Sequence, residues 1–247
     1  MDALPQSPIF AQWFSQWHST LSWQPNDQQQ QAFQGLYDAI LSGNQRLNLT
    51  RITEPEDFWE KHLWDSLRGI YGTGIPLSET ARLIDIGTGG GFPGLPIAIA
   101  QPHWQLTLVD STRKKINFIQ ETAQQLGLSQ VKAIVSRAEE LGQERAYRER
   151  YDIATIRAVA TANVCAEYVL PLVKVGGWAI LYRGQWTPEE NQALQDAIAQ
   201  LGGTLKTCDT FLTPISRSAR TCLVIQKTSP TPNFYPRAIG IPVQKPL

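Results

Sequence analysis

The stretch Leu83-Ile84-Asp85-Ile86-Gly87-Thr88-Gly89-Gly90-Gly91-Phe92 decides how the chain folds. An apolar strand runs into a glycine loop, with one acid, Asp85, two residues before the first glycine. Glycine lets the backbone turn tightly, and lets a ligand lie against main chain where a Cβ would otherwise stand. The next apolar run ends at Asp110, 19 residues beyond Gly91. An acid about 20 residues downstream, at the tip of the second strand, is placed to accept ribose hydroxyls. Together these features imply an adenosine-containing cofactor at the strand ends.

Working outward, Leu83–Ile86, Leu106–Val109, Val131–Val135, Ile153–Ile156 and Trp178–Tyr182 are short apolar runs. Helical patterns separate them, clearest at Lys114–Leu126, Ala162–Leu172 and Pro188–Leu201. Strand–helix alternation implies a parallel sheet covered on both faces. Thr204–Phe211 and Thr221–Lys227 are two more strands with no full helix between them, and read as an antiparallel hairpin closing the sheet edge. The result is an α/β, Rossmann-like, mostly parallel seven-stranded sheet over residues 81–227. Residues 1–80 read as an N-terminal helical extension. Ile9, Phe10, Trp13, Phe14 and Trp17 repeat at helical spacing, and a second helix runs from Asn26 as N-cap to Gly43 as stop. Thr53-Glu54-Pro55-Glu56 has the pattern of a capping box for a third, running toward Leu67. Trp13, Trp17 and Trp23 offer either a stacking platform for bases or, at this spacing, core packing. Residues 228–247 form a basic tail holding five of the 16 prolines, read as extended and not helical.

Composition excludes several classes. At 42% hydrophobic and 18% charged, the chain is of ordinary globular type. No apolar run reaches the ~18 residues of a membrane span, and no basic-then-apolar leader opens the sequence, so neither membrane insertion nor a cleaved signal is expected. Three widely spaced cysteines, Cys165, Cys208 and Cys222, fit a reducing cytoplasm better than a disulfide scaffold. Net charge is zero, which alone argues against nucleic acid. The distribution argues otherwise. Residues 1–45 carry −3, and after Asp209 there is no acid, only Arg217, Arg220, Lys227, Arg237 and Lys245. That basic end is either a solubilising tail or a local electrostatic footprint.

The loop has Phe92 where a dinucleotide fingerprint wants its third glycine, followed by Pro93, Gly94 and Pro96. The spacing Asp85-x-Gly87-x-Gly89-x-Gly91 resembles motif I of the class I S-adenosylmethionine methyltransferases. In such folds the position of Ala138-Glu139, after the third strand, contacts adenine. Base methylation at a pyrimidine carbon needs a cysteine nucleophile. Cys208 and Cys222 lie in late strands, away from the end of strand four, and read better as small buried hydrophobes. The Asp/Asn-Pro-Pro-aromatic tetrad of amine methylation is absent, since strand four ends Ala154-Thr155-Ile156-Arg157-Ala158-Val159. No metal-ligand spacing is present. What remains is a nucleophile needing no base, such as purine N7, whose lone pair is already exposed. Arg157 would face both cofactor and target, or else form a salt bridge with Asp85 or Glu139.

Beyond motif I, the chain resembles the bacterial 16S rRNA guanine-N7 methyltransferases of the RsmG type (glucose-inhibited division protein B). The marks are Asn48-Leu49-Thr50, Lys61-His62-Leu63-x-Asp65-Ser66-Leu67, Ile84 through Pro96, Asp110-Ser111, Ser136-Arg137-Ala138-Glu139, Tyr151-Asp152, Arg157-Ala158, Gly184-Gln185 and the tail Tyr235-Pro236-Arg237 with Gly240, Pro242 and Lys245-Pro246-Leu247. The resemblance implies a cofactor site of Gly87, Phe92, Asp110, Ser111, Thr112, Ala138, Glu139 and Arg157, with S-adenosyl-L-methionine as cofactor. It implies Arg157, His62, Asp65 and Asn48 as catalytic residues, and Lys114, Arg137, Arg183 and Arg220 as RNA contacts. Thr112 stands where Leu is common, and Arg183 where Lys is common. His62 and Asp65, three apart on one helix, suggest an Asp orienting the imidazole. The partner implied is 16S rRNA or the small-subunit ribosomal particle, met by a cytoplasmic monomer without metal. Two alternatives stand beside this: an NAD(P)-binding oxidoreductase, and a non-catalytic rRNA-binding assembly protein.

Overall fold

The computed structural model describes residues 9–247; residues 1–8, where the helical extension begins, and the side chain of Phe14 lie outside the described residues. A 3-10 turn, Ala11–Trp13, leads into α1 (Phe14–Leu21). α2 (Asp27–Asn44) opens on a capping box, with Asn26 and Gln29 each accepting the other's backbone N–H. α3 (Pro55–Phe58), a π-helical segment (Trp59–Trp64) and α4 (Asp65–Tyr71) follow without a break. The capping box expected at Thr53 does not form: the N-cap is Glu54, and Pro55 takes the first helical turn, where its missing N–H costs nothing.

The sheet follows. Its elements are β1 (Arg82–Ile86), α5 (Gly94–Ala100), β2 (Gln105–Asp110), α6 (Arg113–Gln125), β3 (Val131–Val135), α7 (Ala138–Leu141), β4 (Tyr151–Arg157), α8 (Ala162–Val169), β5 (Val173–Arg183), α9 (Pro188–Leu201), β6 (Gly203–Leu212), β7 (Ala219–Lys227) and the short α10 (Ile241–Gln244). Strand order is β3-β2-β1-β4-β5-β7-β6. The first five strands pair in parallel, while β7 runs antiparallel to both β5 and β6. The hairpin therefore inserts its second strand next to β5 and leaves β6 at the edge. α8 stops short of the expected Leu172: Leu170 still has helical torsions, but Pro171 has no N–H with which to continue the helical ladder.

Period-two alternation sorts the strand side chains onto two faces. Leu83, Leu106, Leu108, Ile153 and Ile180 join the core under the N-terminal helices, α5 and α6. Ile84, Ile86, Val109, Ile156, Leu181 and Leu223 join the second core, under α8 and α9. Trp13 and Trp17 are buried, each ring stacked on Trp59, and Trp23 stacks on Tyr71. These tryptophans are packing residues, Trp13 and Trp17 buried and Trp23 half-buried.

The tail is not extended throughout. It returns across the second core, buries Tyr235 and ends in the single turn of α10, with Pro242 in the first turn where proline is tolerated. Arg148 fastens it by donating to the carbonyls of Gly142, Tyr235, Thr231 and Pro232. Of the five cations after Asp209, Arg237 and Lys227 are spent internally. Arg237 makes a multiply bonded pair with the fully buried Glu167. Lys227, itself fully buried in β7, donates to the Leu170 carbonyl and lies 3.4 Å from Glu149. Among the described residues no helix is long and apolar enough to cross a membrane.

Candidate functional site

In the strand order, the chain reverses direction between β1 and β4, and a crevice opens at their C-terminal ends. It holds a cavity of about 490 Å³ lined by the β1 loop, the ends of β2 and β4, α7 and the helix carrying His62. Gly87, Phe92, Asp110, Ser111, Thr112, Ala138, Glu139 and Arg157 all line it, as do His62 and Arg137.

The loop's shape follows from its torsions. Gly87 has φ +68°, and a Cβ there would stand 2.4 Å from the Val159 side chain, so only glycine fits. Gly89, at φ +60°, has only the Gly87 carbonyl oxygen, 3.9 Å away, near where its side chain would be, and it lines the cavity with main chain. Asp110 organises this backbone: one carboxylate oxygen accepts from the Gly89 N–H at 3.0 Å, the other from the Thr112 N–H at 2.8 Å. Each oxygen retains a lone pair for a further donor, which suits a ribose diol. Across the cavity, buried Glu139 accepts from the Gly240 N–H at 3.1 Å and from the Arg137 guanidinium at 3.3 Å.

Asp85 lies fully buried behind the loop, accepting from the Thr155 hydroxyl at 2.8 Å and the Gly94 N–H at 3.1 Å. Burial pushes its carboxyl up to about 6 despite those bonds. It does not pair with Arg157. Neither does Glu139, so the salt bridge expected of Arg157 with one of those two acids is replaced by another. Arg157 donates to Asp65 at 2.8 Å and to the Lys61 carbonyl at 2.9 Å. Asp65 in turn stands 4.0 Å from Arg220 on β7. The expectation that Asp65 orients His62 is therefore corrected: Asp65 holds arginines. It turns toward β4 because a guanidinium arriving there offers a charge-assisted bond that a neutral ring cannot match.

His62 is oriented differently. Its ring stacks flat on Phe92, with centroids 4.2 Å apart and planes 9° apart, and Phe58 meets it edge-on. Nε2 is 2.7 Å from the Thr50 hydroxyl, and Nδ1 is 3.5 Å from an Arg157 nitrogen that can only donate. That assigns the proton to Nε2, which donates to Thr50. Burial and the neighbouring Arg157 lower the imidazole to about 3, so it is neutral at physiological pH. Thr50 is fixed by Asn44, which accepts from the Leu49 and Thr50 N–H groups and donates to the Thr50 carbonyl.

The remaining expected residues lie off the cavity. Asn48 is exposed at the tip of the loop whose Leu49 lines it. Lys114 faces solvent on α6, and its neighbour Lys115 lines the cavity instead, 4.0 Å from Asp110. Arg183 is turned inward, donating to the Ala160 carbonyl at 2.6 Å and lying 3.4 Å from Glu190. Arg220 sits in the second layer with Asp65. Sequence reasoning missed Leu49, Lys115, Tyr168 and Val243 among the lining residues. The helical phase of α6 distinguishes Lys115 from Lys114; nothing local marks Tyr168 or Val243. It also missed Ala158, whose φ of +56° is strained for a residue with a Cβ and sits directly after Arg157.

Comparison with known proteins adds independent findings. A model of the family described as rRNA small subunit methyltransferase G matches residues 29–219. Proteins of that name from Trichormus variabilis and Synechococcus elongatus are 57% and 58% identical to this chain. Each alignment spans 94% of this chain, and 96% and 95% of the relative respectively. Among solved structures, the 16S rRNA (adenine(1408)-N(1))-methyltransferase of Catenulisporales acidiphilia with cosubstrate SAM covers 62% of this chain and 87% of its own, at a TM-score of 0.52 and 19% identity. The antibiotic-resistance methyltransferase Kmr matches at a TM-score of 0.52 and 17% identity, over 61% of this chain and 88% of its own. Likeness at that level is one of fold.

Proposed function

The chain belongs to the rRNA small subunit methyltransferase G family, and from that premise we propose that it moves a methyl group from S-adenosylmethionine to N7 of a guanine in 16S rRNA. The observation that carries the reading is the cavity at the β1–β4 crevice. It combines bare glycine backbone, Asp110 with free lone pairs, buried Glu139 and an Arg157 fixed on two acceptors. Those groups suit an amino-acid chain, a ribose and an adenine in turn. The Phe92 substitution for glycine in the loop favours this cofactor over a dinucleotide.

When bound, the cofactor supplies an electrophilic methyl group on a sulfonium. The chain's own contribution is orientation. Guanine N7 needs no deprotonation, so no general base is required, and the neutral His62 fits that requirement. Arg157 donates to guanine O6, leaving N7 free to attack in line. Asp65 and the Lys61 carbonyl keep its fork from swinging. Arg220 lies beside this pair, while Lys114 on the exposed face of α6 and Arg137 at the cavity hold phosphates. Arg183 acts indirectly, by fixing Ala160 in the loop after β4. The substrate is 16S rRNA, naked or within the small-subunit particle, met by a monomer in the cytoplasm. Free cysteines support that compartment.

The test is methyl transfer from labelled cofactor to 16S rRNA lacking the modification, with N7-methylguanine identified by mass spectrometry after nuclease digestion. Product from naked rRNA and from assembled subunits separates the two substrates. A folded protein that binds the cofactor and yields no methylated guanine on either would overturn the assignment.

A further inference from the structure

The far end of the tail stands apart from the rest of that segment. Residues 231–237 are anchored by Arg148, by the Arg237–Glu167 pair and by the Gln143 side chain donating to the Pro236 carbonyl. Beyond Arg237 the chain leaves that anchorage. An open groove lined by Glu140, Phe234, Ala238 and Ile239 separates it from α7. Its links are then the Gly240 N–H on Glu139, the contacts of α10 with α8, and the Leu247 carbonyl accepting from Asn163 at 2.8 Å. Val243 on α10 lines the 490 Å³ cavity and is nonetheless 57% exposed. An apolar side chain left more than half bare at a cavity lined by polar and apolar groups alike has a surface that a flat aromatic base would cover. Glu139 adjoins both the cavity and the groove.

We propose that the segment 238–244 is a wall of the cofactor site, in which the Gly240 N–H positions the Glu139 carboxylate and Val243 covers the adenine. This rests on the reading of the cavity as the S-adenosylmethionine site, and adds a cofactor-binding role for the tail. Gly240 suits its part because it holds φ +81°, a torsion that turns its N–H toward Glu139 and that residues with a Cβ resist. By linkage, a cofactor that gains from the ordered segment must also hold the segment in place.

Two measurements on the full-length protein test it. The first is calorimetric affinity for S-adenosylmethionine. Val243→Asp places a carboxylate beside the base and raises Kd at least tenfold, while Val243→Leu stays near the wild type. Phe234→Asp, on the same tail but outside the cavity, leaves Kd unchanged. The second is hydrogen exchange of residues 238–244, which slows at least tenfold on saturation with cofactor, while residues 231–236 change little. Equal affinity of the Val243→Asp variant and the wild type, or exchange indifferent to cofactor, would overturn the inference and leave the proposed function standing. A wild type that binds no S-adenosylmethionine would remove the function and the inference together.

Discussion

Asp65 shows how one carboxylate sets the geometry of a site it does not enter. Its bond to Arg157 fixes one arm of the guanidinium, and Arg220 stands against its other oxygen. Asp65→Asn keeps the shape and removes the charge that holds the fork. Its expected signature is a fall in kcat of about 10²-fold, the scale of a small misplacement. Cofactor Kd should change less than about threefold, because Asp65 does not line the cavity. Arg157→Lys should lose activity similarly, since a point charge cannot satisfy Lys61, Asp65 and a base edge at once. His62 makes a separate prediction. Its folded value near 3 lies below the ordinary 6.5, so below pH 6.5 the unfolded chain binds a proton that the folded chain does not. Its share of stability is present above 6.5 and lost as pH falls toward 3. Relative to His62→Gln, the wild type should lose about 1.4 kcal/mol per pH unit across that window in denaturant titrations. Identical slopes for the two proteins would contradict the buried neutral ring.

At the scale of elements, the π-helical segment Trp59–Trp64 is the least legible piece. Five of its six residues are buried, Glu60 and His62 among them. An amphipathic α-helix buries one stripe, so its period carries no hint of such a segment. Nothing in Trp59-Glu60-Lys61-His62-Leu63-Trp64 breaks a helix locally. Packing of Trp59 against Trp13 and Trp17 draws the turn in. Glu60 then reaches the β6–β7 turn and accepts from the Ile215 and Ser216 N–H groups at 2.5 and 2.9 Å. Glu60→Ala strands those donors, and should cost about 2–3 kcal/mol in equilibrium unfolding. α5 escaped notice for a related reason. All seven of its residues are buried, so it has no polar face and no periodicity to read. The strands and α9, with a Thr187 cap and a Gly202 stop, were plain because each shows its period or its ends.

For the whole molecule, the zero net charge is the sum of ion pairs and of unpaired charges of both signs. The basic C-terminal sum shrinks once Arg237 and Lys227 are seen to be committed inside. RNA affinity should therefore rest on a small number of phosphate contacts. Binding of random RNA is expected to be weak and to fall with a linear log–log dependence on salt. Tight, salt-insensitive binding in a filter assay would contradict this. The cofactor should act on the whole fold, because its cavity joins β1, β2, β4, α7 and the tail. At 100 times its Kd, S-adenosylmethionine should raise unfolding free energy by about 2.7 kcal/mol, and NAD at the same concentration by none.

The sequence by itself determined what is local. The glycine run after β1, the short apolar runs of the strands, an acid at the tip of β2 and the strand–helix alternation are properties of neighbouring residues, and they carry the fold and the cofactor crevice. Tertiary structure alone decided the partnerships. Arg157 chose Asp65, 92 positions away, over Asp85 and Glu139. Glu139 found the Gly240 N–H 101 positions on. Val243 reached a cavity built mostly from residues 86–168. Charge and hydrogen-bonding capacity are written in each residue, but which groups satisfy one another depends on which elements pack side by side. That choice belongs to the whole chain, because a buried charge or N–H must be met by whatever the fold brings within about 3 Å of it.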